Sequence, residues 1–376
     1  MEEEARRHLK NAERIVIKVG TSTLTYSSGK LNLHYIERIV RELADLKNQE
    51  KDVLLVSSGA IGAGIGKLGL RKKPKTIPEK QAVAAVGQGM LIQVYEKLFA
   101  EYGHIVAQIL LTREDLINRQ RYINSRNTLI TLLKFGVIPI INENDTVAVE
   151  EIEFGDNDSL SALVASLTNA DLLINLSDIN GLYTSNPHIN SEARLINYVE
   201  KITPEIENLA EKTGNSLGTG GMKTKLESAK IAVNSGVSMV IANGQRPGII
   251  HDIINGEKVG TLFPTHRKTL HSRKKWIAYG LTIQGTISVD KGAKKAVIKD
   301  GKSLLPSGIL HVRGSFECGD TVCITDEEGI EFARGLVNYS SKDLERIKGL
   351  KTHEIPELLG EDNQNEVIHR DNLVLL

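Results

Sequence analysis

The chain has 376 residues, of which 40% are hydrophobic and 25% charged, as is typical of a globular protein long enough for two domains. Its 47 Lys and Arg residues balance 47 Asp and Glu residues, so no overall charge favours nucleic acid or a membrane as the main partner. Only two cysteines exclude a disulfide framework, and a charged N-terminus without any apolar run near 20 residues predicts a cytoplasmic protein with no membrane segment.

Short apolar strands alternate with helical patterns over the first 265 residues. Strands are predicted at residues 14–20, 53–56, 104–112, 137–141, 171–176 and 237–242, and helices at 33–47, 81–101, 123–135, 160–167 and 223–234. This alternation predicts an α/β domain at residues 1–265, with a mostly parallel sheet covered by helices on both faces. Ligands of such folds bind beyond the carboxyl ends of the strands, where this chain places Gly, Ser, Thr, Asn and Asp.

The pattern changes after residue 265. Residues 266–279 are basic and poor in apolar side chains, which predicts a linker. Short strands separated by Gly and Asp turns then predict a small all-β domain at residues 280–361, with one of its strands at 295–301 and a helical piece at 341–350. We expect residues 362–376 to form a C-terminal tail.

Lys18 lies inside an apolar strand and is followed by Gly20, Thr21 and Ser22. A Lys in such a strand either extends to water at a sheet edge or meets an anion. The Gly, with the amides and hydroxyls beside it, favours a phosphate.

A second turn, residues 57–64, follows a strand and opens a helix. Its backbone N–H groups are suited to a carboxylate or phosphate, and its glycines are equally suited to a tight turn with close packing. The G-x-G-x-x-G match at residues 64–69 lies well after the strand, and no strand ending in an acidic residue follows at the expected spacing. We interpret it as incidental.

Two clusters of amides and carboxylates, at residues 142–145 and 155–158, frame one connection after a buried strand. They indicate either a site for a charged polar ligand or a polar hairpin. The turn at residues 177–183 is suited to the base or ribose of a nucleotide, although such turns are common.

Glycines, hydroxyls and lysines at residues 218–225 precede a helix and form either a phosphate cradle or a flexible loop. They do not fit the Walker A pattern. Lys18, Lys225 and the carboxylates of Asp145 and Asp158 all fall at strand or helix ends. Two lysines with carboxylates to orient them fit phosphoryl transfer, in which a protein aligns the reactants and neutralises charge.

Six motifs in this order resemble the amino acid kinase family: KVGTS, SSGAIGAG, INENDTV, GDNDSLSA, SDINGLY and GTGGMKTK. From about residue 14 to the end, the chain resembles those members that act on glutamate and carry a C-terminal PUA domain. The resemblance implies ATP-dependent phosphorylation of the γ-carboxylate of L-glutamate to γ-glutamyl phosphate, the first step of proline synthesis. It also implies Mg²⁺ bound with ATP, and proline as a feedback inhibitor.

The resemblance assigns roles to residues of these motifs. Lys18 and Lys225 would be catalytic and contact the ATP phosphates, with Asp158 orienting them. L-glutamate would be bound by Ser58, Asp145 and Asn157. The nucleotide would be bound by Lys18, Ser177, Asp178, Thr219, Gly220, Gly221, Met222, Lys223, Thr224 and Lys225. No metal ligand is assigned.

Several partners and alternatives follow. We expect a homo-oligomer, a PUA-like domain that serves oligomerisation or regulation, and a glutamyl phosphate reductase acting downstream. The alternatives are a related kinase acting on aspartate or N-acetylglutamate, or RNA binding through the PUA-like domain. RNA is disfavoured because residues 280–361 carry 11 Lys and Arg against 13 Asp and Glu, whereas RNA-binding domains normally have a basic face.

Overall fold

The computed structural model describes residues 1–26, 28–148, 157–187, 189–190, 192–213, 221–246, 248–265, 283–351, 354, 358 and 366–376. The chain divides into two compact units. Each unit has its own sheet and its own hydrophobic core.

A seven-stranded sheet forms the first unit. Its strands are β1 (Arg14–Val19), β2 (Asp52–Ser57), β3 (Val106–Leu111), β4 (Ile138–Glu143), β5 (Leu172–Ser177), β6 (Ser238–Asn243) and β7 (Thr261–Phe263). Their order is β3-β4-β2-β1-β5-β6-β7, and all neighbours pair in parallel except β6 and β7. The predicted mostly parallel α/β sheet is confirmed. Because β1 is central, the carboxyl ends of β1, β2, β4 and β5 come together in the middle of one edge.

Helices cover both faces of this sheet. They are α1 (Glu2–His8), α2 (Thr21–Leu24), α3 (Leu33–Asn48), α4 (Ala60–Leu68), α5 (Ile77–Ala100), α6 (Arg113–Ile117), α7 (Arg119–Lys134), α8 (Asn157–Thr168), α9 (Pro204–Thr213), α10 (Met222–Asn234) and α11 (Ile249–Ile254), with a 3-10 turn at Leu9–Asn11. Alternate residues of β1, Ile15, Ile17 and Val19, join the core formed with α3, α5 and α11. Successive side chains of a strand point to opposite faces, so Lys18 points to the other side, where α8 lies.

Helix α5 begins four residues earlier than the sequence pattern predicts. The Thr76 hydroxyl accepts from the Glu79 N–H, and the Glu79 carboxylate accepts from the Thr76 N–H, which together form a capping box. Further along, α5 packs closely on α4 through glycines. A Cβ on Gly87 would lie 1.7 Å from the Ala60 carbonyl oxygen, and one on Gly64 would lie 2.0 Å from that of Val83. Gly64 belongs to the G-x-G-x-x-G match and therefore has a packing role.

The second unit contains a five-stranded sheet and two helices. Its elements are β8 (Ile283–Val289), α12 (Lys291–Ile298), β9 (Ile309–Gly314), β10 (Thr321–Thr325), β11 (Glu331–Leu336), α13 (Ser341–Ile347) and β12 (Leu373–Leu375), with 3-10 turns at Pro306–Gly308 and Arg370–Asn372. The strand order is β12-β11-β10-β8-β9, and the pairs are antiparallel except β8 with β10. A small, mostly antiparallel C-terminal domain is confirmed.

Two local predictions in this unit are corrected. The strand predicted at residues 295–301 is wrong, because α12 occupies most of that stretch. Asp290 caps this helix by accepting from the Ala293 N–H, and Ala293 and Val297, four residues apart, both pack on the core. In the predicted tail, residues 366–376 include β12, which pairs with β11, and Val367 and Ile368 are buried. The predicted linker lies outside the described residues, and the other domain boundaries stay predictions.

Candidate active site

The predicted site residues gather at the carboxyl edge of the first sheet. Lys18 is one residue from the end of β1, and Ser58 directly follows β2. Asn157 and Asp158 occupy the first turn of α8, which begins three residues earlier than predicted. Lys225 lies in the first turn of α10. Residues separated by more than 200 positions therefore meet where ligands of parallel sheets bind.

Asp158 is the residue that joins the two lysines. Its side chain is fully buried, and those of Lys18 and Lys225 are about 5% exposed. The Lys18 ammonium donates to Oδ1 of Asp158, and Nζ of Lys225 lies 3.1 Å from Oδ2. One carboxylate thus holds two buried positive charges on its two oxygens.

Two neutral donors complete this arrangement. Asn175 Nδ2 donates to Oδ1 of Asp158 at 2.8 Å, and the Thr224 hydroxyl donates to Oδ2 at 3.2 Å. Asn175 lies directly opposite Lys18 on the neighbouring strand. Sequence reasoning missed this residue, although its signal was present as a single amide inside the apolar strand LLINLS.

The charges around Asp158 decide its protonation. Burial by itself raises the pKa of this carboxyl group. The ammonium groups of Lys18 and Lys225, with hydrogen bonds from Lys18 and Asn175, outweigh burial and hold the pKa well below its ordinary value. Asp158 is therefore an ionised acceptor that fixes the lysines, and it is unsuited to act as an acid or base at neutral pH.

Asn157 forms the neighbouring part of the site. Its Nδ2 donates to the Ser57 carbonyl at 2.7 Å, to Oγ of Ser58 at 3.0 Å and to Oδ1 of Asn142 at 2.8 Å. Its own Oδ1 is buried and has no hydrogen-bond partner within the described part of the chain. Two of the predicted glutamate ligands, Ser58 and Asn157, are therefore in direct contact.

The third predicted glutamate ligand, Asp145, lies half-buried in the turn after β4. Gln88 of α5, which sequence reasoning missed, reaches Oδ2 of Asp145 with its Nε2 at 3.4 Å. A single polar residue in a long helix gave no signal for this contact.

The predicted nucleotide ligands lie at β5 and at the start of α10. Ser177 ends β5 and donates to Oδ1 of its neighbour Asp178 at 3.0 Å. Gly221 precedes α10, Met222 is buried, Lys223 is exposed, and the Thr224 hydroxyl donates to the Gly221 carbonyl at 2.8 Å. Thr219 and Gly220 lie outside the described residues.

Two searches of the described residues found no group of the kind sought. No three or more His, Cys, Asp or Glu side chains of this part of the chain are grouped so that they could hold a metal ion. None of its helices combines the length and apolar character needed to cross a membrane.

A parallel α/β sheet whose carboxyl edge holds two buried ammonium groups on one carboxylate defines a class of protein that moves anionic groups, as phosphotransferases do. Comparison with known proteins narrows the class. Residues 13–243 match the sequence model of the amino acid kinase family, and residues 285–359 match that of the PUA domain. The chain belongs to the amino acid kinase family.

Relatives with a single printed name match nearly the whole chain. Glutamate 5-kinase from Thermoanaerobacter sp. (strain X514) is 57% identical over 96% of this chain and 98% of its own length. Glutamate 5-kinase from Moorella thermoacetica is 54% identical over 100% and 99%. Glutamate 5-kinase from Syntrophus aciditrophicus is 47% identical over 100% and 97%.

Proposed function

We propose that the chain transfers the γ-phosphoryl group of ATP to the γ-carboxylate of L-glutamate, giving γ-glutamyl phosphate and ADP in the first step of proline synthesis. The observation that carries this proposal is the binding of Lys18 and Lys225 to one buried carboxylate, Asp158, beside the contact between Asn157 and Ser58. The relatives named glutamate 5-kinase support the choice of substrate.

The chemistry needs alignment and positive charge more than acid–base catalysis. The nucleophile is a carboxylate, which is already ionised at neutral pH because a free Glu side chain has a pKa of about 4.3. The main barrier is the approach of one anion to a polyanion, which two ammonium groups reduce. An ammonium group has three N–H donors, so Lys18 can hold Asp158 and also bind a phosphate oxygen.

The nucleotide enters as its Mg²⁺ complex, so the metal is part of the substrate. We assign the phosphates to Lys18, Lys225 and the start of α10 with the loop before it, Thr219 to Lys225, because N–H groups at a helix start favour anions. Ser177 and Asp178 are assigned to the remainder of the nucleotide. At the amino-acid end, Ser58, Asp145 and Asn157 are assigned to L-glutamate.

The test is ATP turnover by the purified full chain with L-glutamate, L-aspartate or N-acetyl-L-glutamate, in the presence of hydroxylamine. An acyl phosphate reacts with hydroxylamine to a hydroxamate, which identifies a phosphorylated carboxylate. We expect hydroxamate with L-glutamate only. Faster turnover of aspartate or N-acetylglutamate would replace the proposed substrate, and ATP turnover without hydroxamate would exclude carboxylate phosphorylation.

Regulation and partners belong to the same proposal. We expect proline to inhibit by raising the KM for L-glutamate, a homo-oligomer on size-exclusion chromatography, a cytoplasmic location, and consumption of the product by a glutamyl phosphate reductase. RNA is not an expected ligand. A salt-dependent mobility shift of tRNA by the purified chain would contradict that expectation.

A further inference from the structure

Gln88 is a buried amide at a point where α5 approaches the end of β4. Its side chain belongs to a residue that is only 7% exposed. The preceding residue, Gly87, packs so closely on the Ala60 carbonyl that no Cβ fits between them. Because this contact fixes α5 against α4, the position of the Gln88 side chain is fixed as well.

Both ends of the Gln88 amide are used. Nε2 donates to the Glu143 carbonyl at 3.0 Å and to Oδ2 of Asp145 at 3.4 Å, and Oε1 accepts from Nδ2 of Asn142 at 3.2 Å. A backbone carbonyl can only accept, so the Glu143 contact determines which end of the amide carries the N–H groups.

The contacts continue through Asn142 to the other side of the site. Oδ1 of Asn142 accepts from the Glu143 N–H at 2.9 Å and from Nδ2 of Asn157 at 2.8 Å. Three buried amides, here called the amide relay (Gln88, Asn142 and Asn157), therefore connect Asp145 with Ser58. In this relay every amide is oriented by a backbone group, because Asn157 faces the Ser57 carbonyl.

The polarity of the amide relay has a consequence for the ligand. At one end lies the Asp145 carboxylate, and at the other lies Oδ1 of Asn157, for which the described residues supply no partner. Both are acceptors. The α-ammonium group of an amino acid carries three donors and no acceptor, which matches them.

We infer that Gln88 is a positioning residue, which holds Asp145 and Asn142 so that the site selects substrates with an α-ammonium group. This inference rests on the proposed function, because it takes L-glutamate as the substrate. A Met at this position has similar length but supplies neither N–H donors to Asp145 nor an acceptor to Asn142. A Glu keeps the acceptor but places a second carboxylate beside Asp145.

The experiment compares Gln88→Met with Gln93→Met, a control at an exposed position of the same helix. For each protein we measure kcat, the KM values for L-glutamate and ATP, and the Ki of glutarate, which lacks the ammonium group. We expect Gln88→Met to raise the KM for L-glutamate about tenfold, with less than about threefold change in kcat, KM for ATP and Ki of glutarate. Gln93→Met should match the wild type.

The outcomes separate this inference from the proposed function. A wild-type chain without glutamate-dependent turnover would overturn both. An active wild type with an unchanged KM in Gln88→Met, or with glutarate weakened as much as glutamate, would overturn the role of Gln88 alone. If Gln88→Met does not fold, Gln88→Glu is measured in the same way, and the same increase restricted to L-glutamate is expected.

Discussion

Lys18 and Asn175 lie directly opposite each other on neighbouring parallel strands, and both side chains donate to the same oxygen of Asp158. Their register fixes where the first turn of α8 must lie for its carboxylate to be reached. The pairing of two strands, remote from each other in sequence, therefore sets the geometry of the candidate active site.

Replacing Asn175 tests this register. Asn175→Leu keeps the approximate volume of the side chain but removes one donor from Oδ1 of Asp158. We expect kcat to fall about tenfold, which corresponds to the loss of a hydrogen bond to a charged group. The KM values for L-glutamate and ATP should change less than about threefold, because Asn175 is assigned no contact with either substrate. Steady-state kinetics with wild-type kcat in this variant would contradict a positioning role.

Lys225→Ala should reduce kcat by about 10²–10³-fold, because a fixed charge at the transferring group acts mainly in the transition state. The KM for L-glutamate should rise by less than about threefold. Lys230→Ala on the same helix is the matched control, since Lys230 forms only a partly exposed ion pair with Glu207 among its printed contacts and lies outside the site. Its kcat should stay within about twofold of wild type. A variant Lys225→Ala with near-wild-type kcat would remove this lysine from the mechanism.

Asp158→Asn should destabilise the chain by about 3–5 kcal/mol, because two buried ammonium groups lose their shared counter-charge. The pKa of Asp158 is lowered in the folded state, so its ionisation stabilises the fold above the unfolded pKa of about 3.9, and this contribution is lost as pH falls toward the folded pKa.

The stability difference between wild type and Asp158→Asn should therefore be constant from about pH 5 to pH 8 and decrease below about pH 4. Urea unfolding of both proteins across this range measures it. A difference that already decreases between pH 7 and pH 5 would contradict the lowered pKa.

Gly87 and Gly89 form a matched pair on α5. A Cβ at Gly87 would lie 1.7 Å from the Ala60 carbonyl oxygen, whereas one at Gly89 would meet no atom within 4 Å. Gly87→Ala should destabilise by about 1–3 kcal/mol or more through forced separation of α4 and α5. Gly89→Ala should stabilise by about 0.5–1 kcal/mol, because Ala favours a helix. Thermal unfolding distinguishes them, and equal effects would exclude close packing at Gly87.

Much of the fold was predictable because its signals are local. Apolar strands alternating with helical patterns predicted the parallel sheet, and its confirmed strands differ from the predicted ones by a few residues at their ends. Where local signals compete, the prediction failed. Residues 295–298 have a strand-like composition but follow a helix cap at Asp290, and the short strand β12 becomes evident only from its pairing with β11.

The sequence by itself determined which groups are available: two lysines, short acids and amides, and the glycine-rich turns, each at the end of a predicted element. Only the tertiary structure decided that Asp158 lies between Lys18 and Lys225, that Asn175 shares its oxygen, and that Gln88 reaches Asp145. The physical reason is that strand register and helix packing bring together residues far apart in the chain, and that the orientation of a buried amide depends on the backbone groups it meets there.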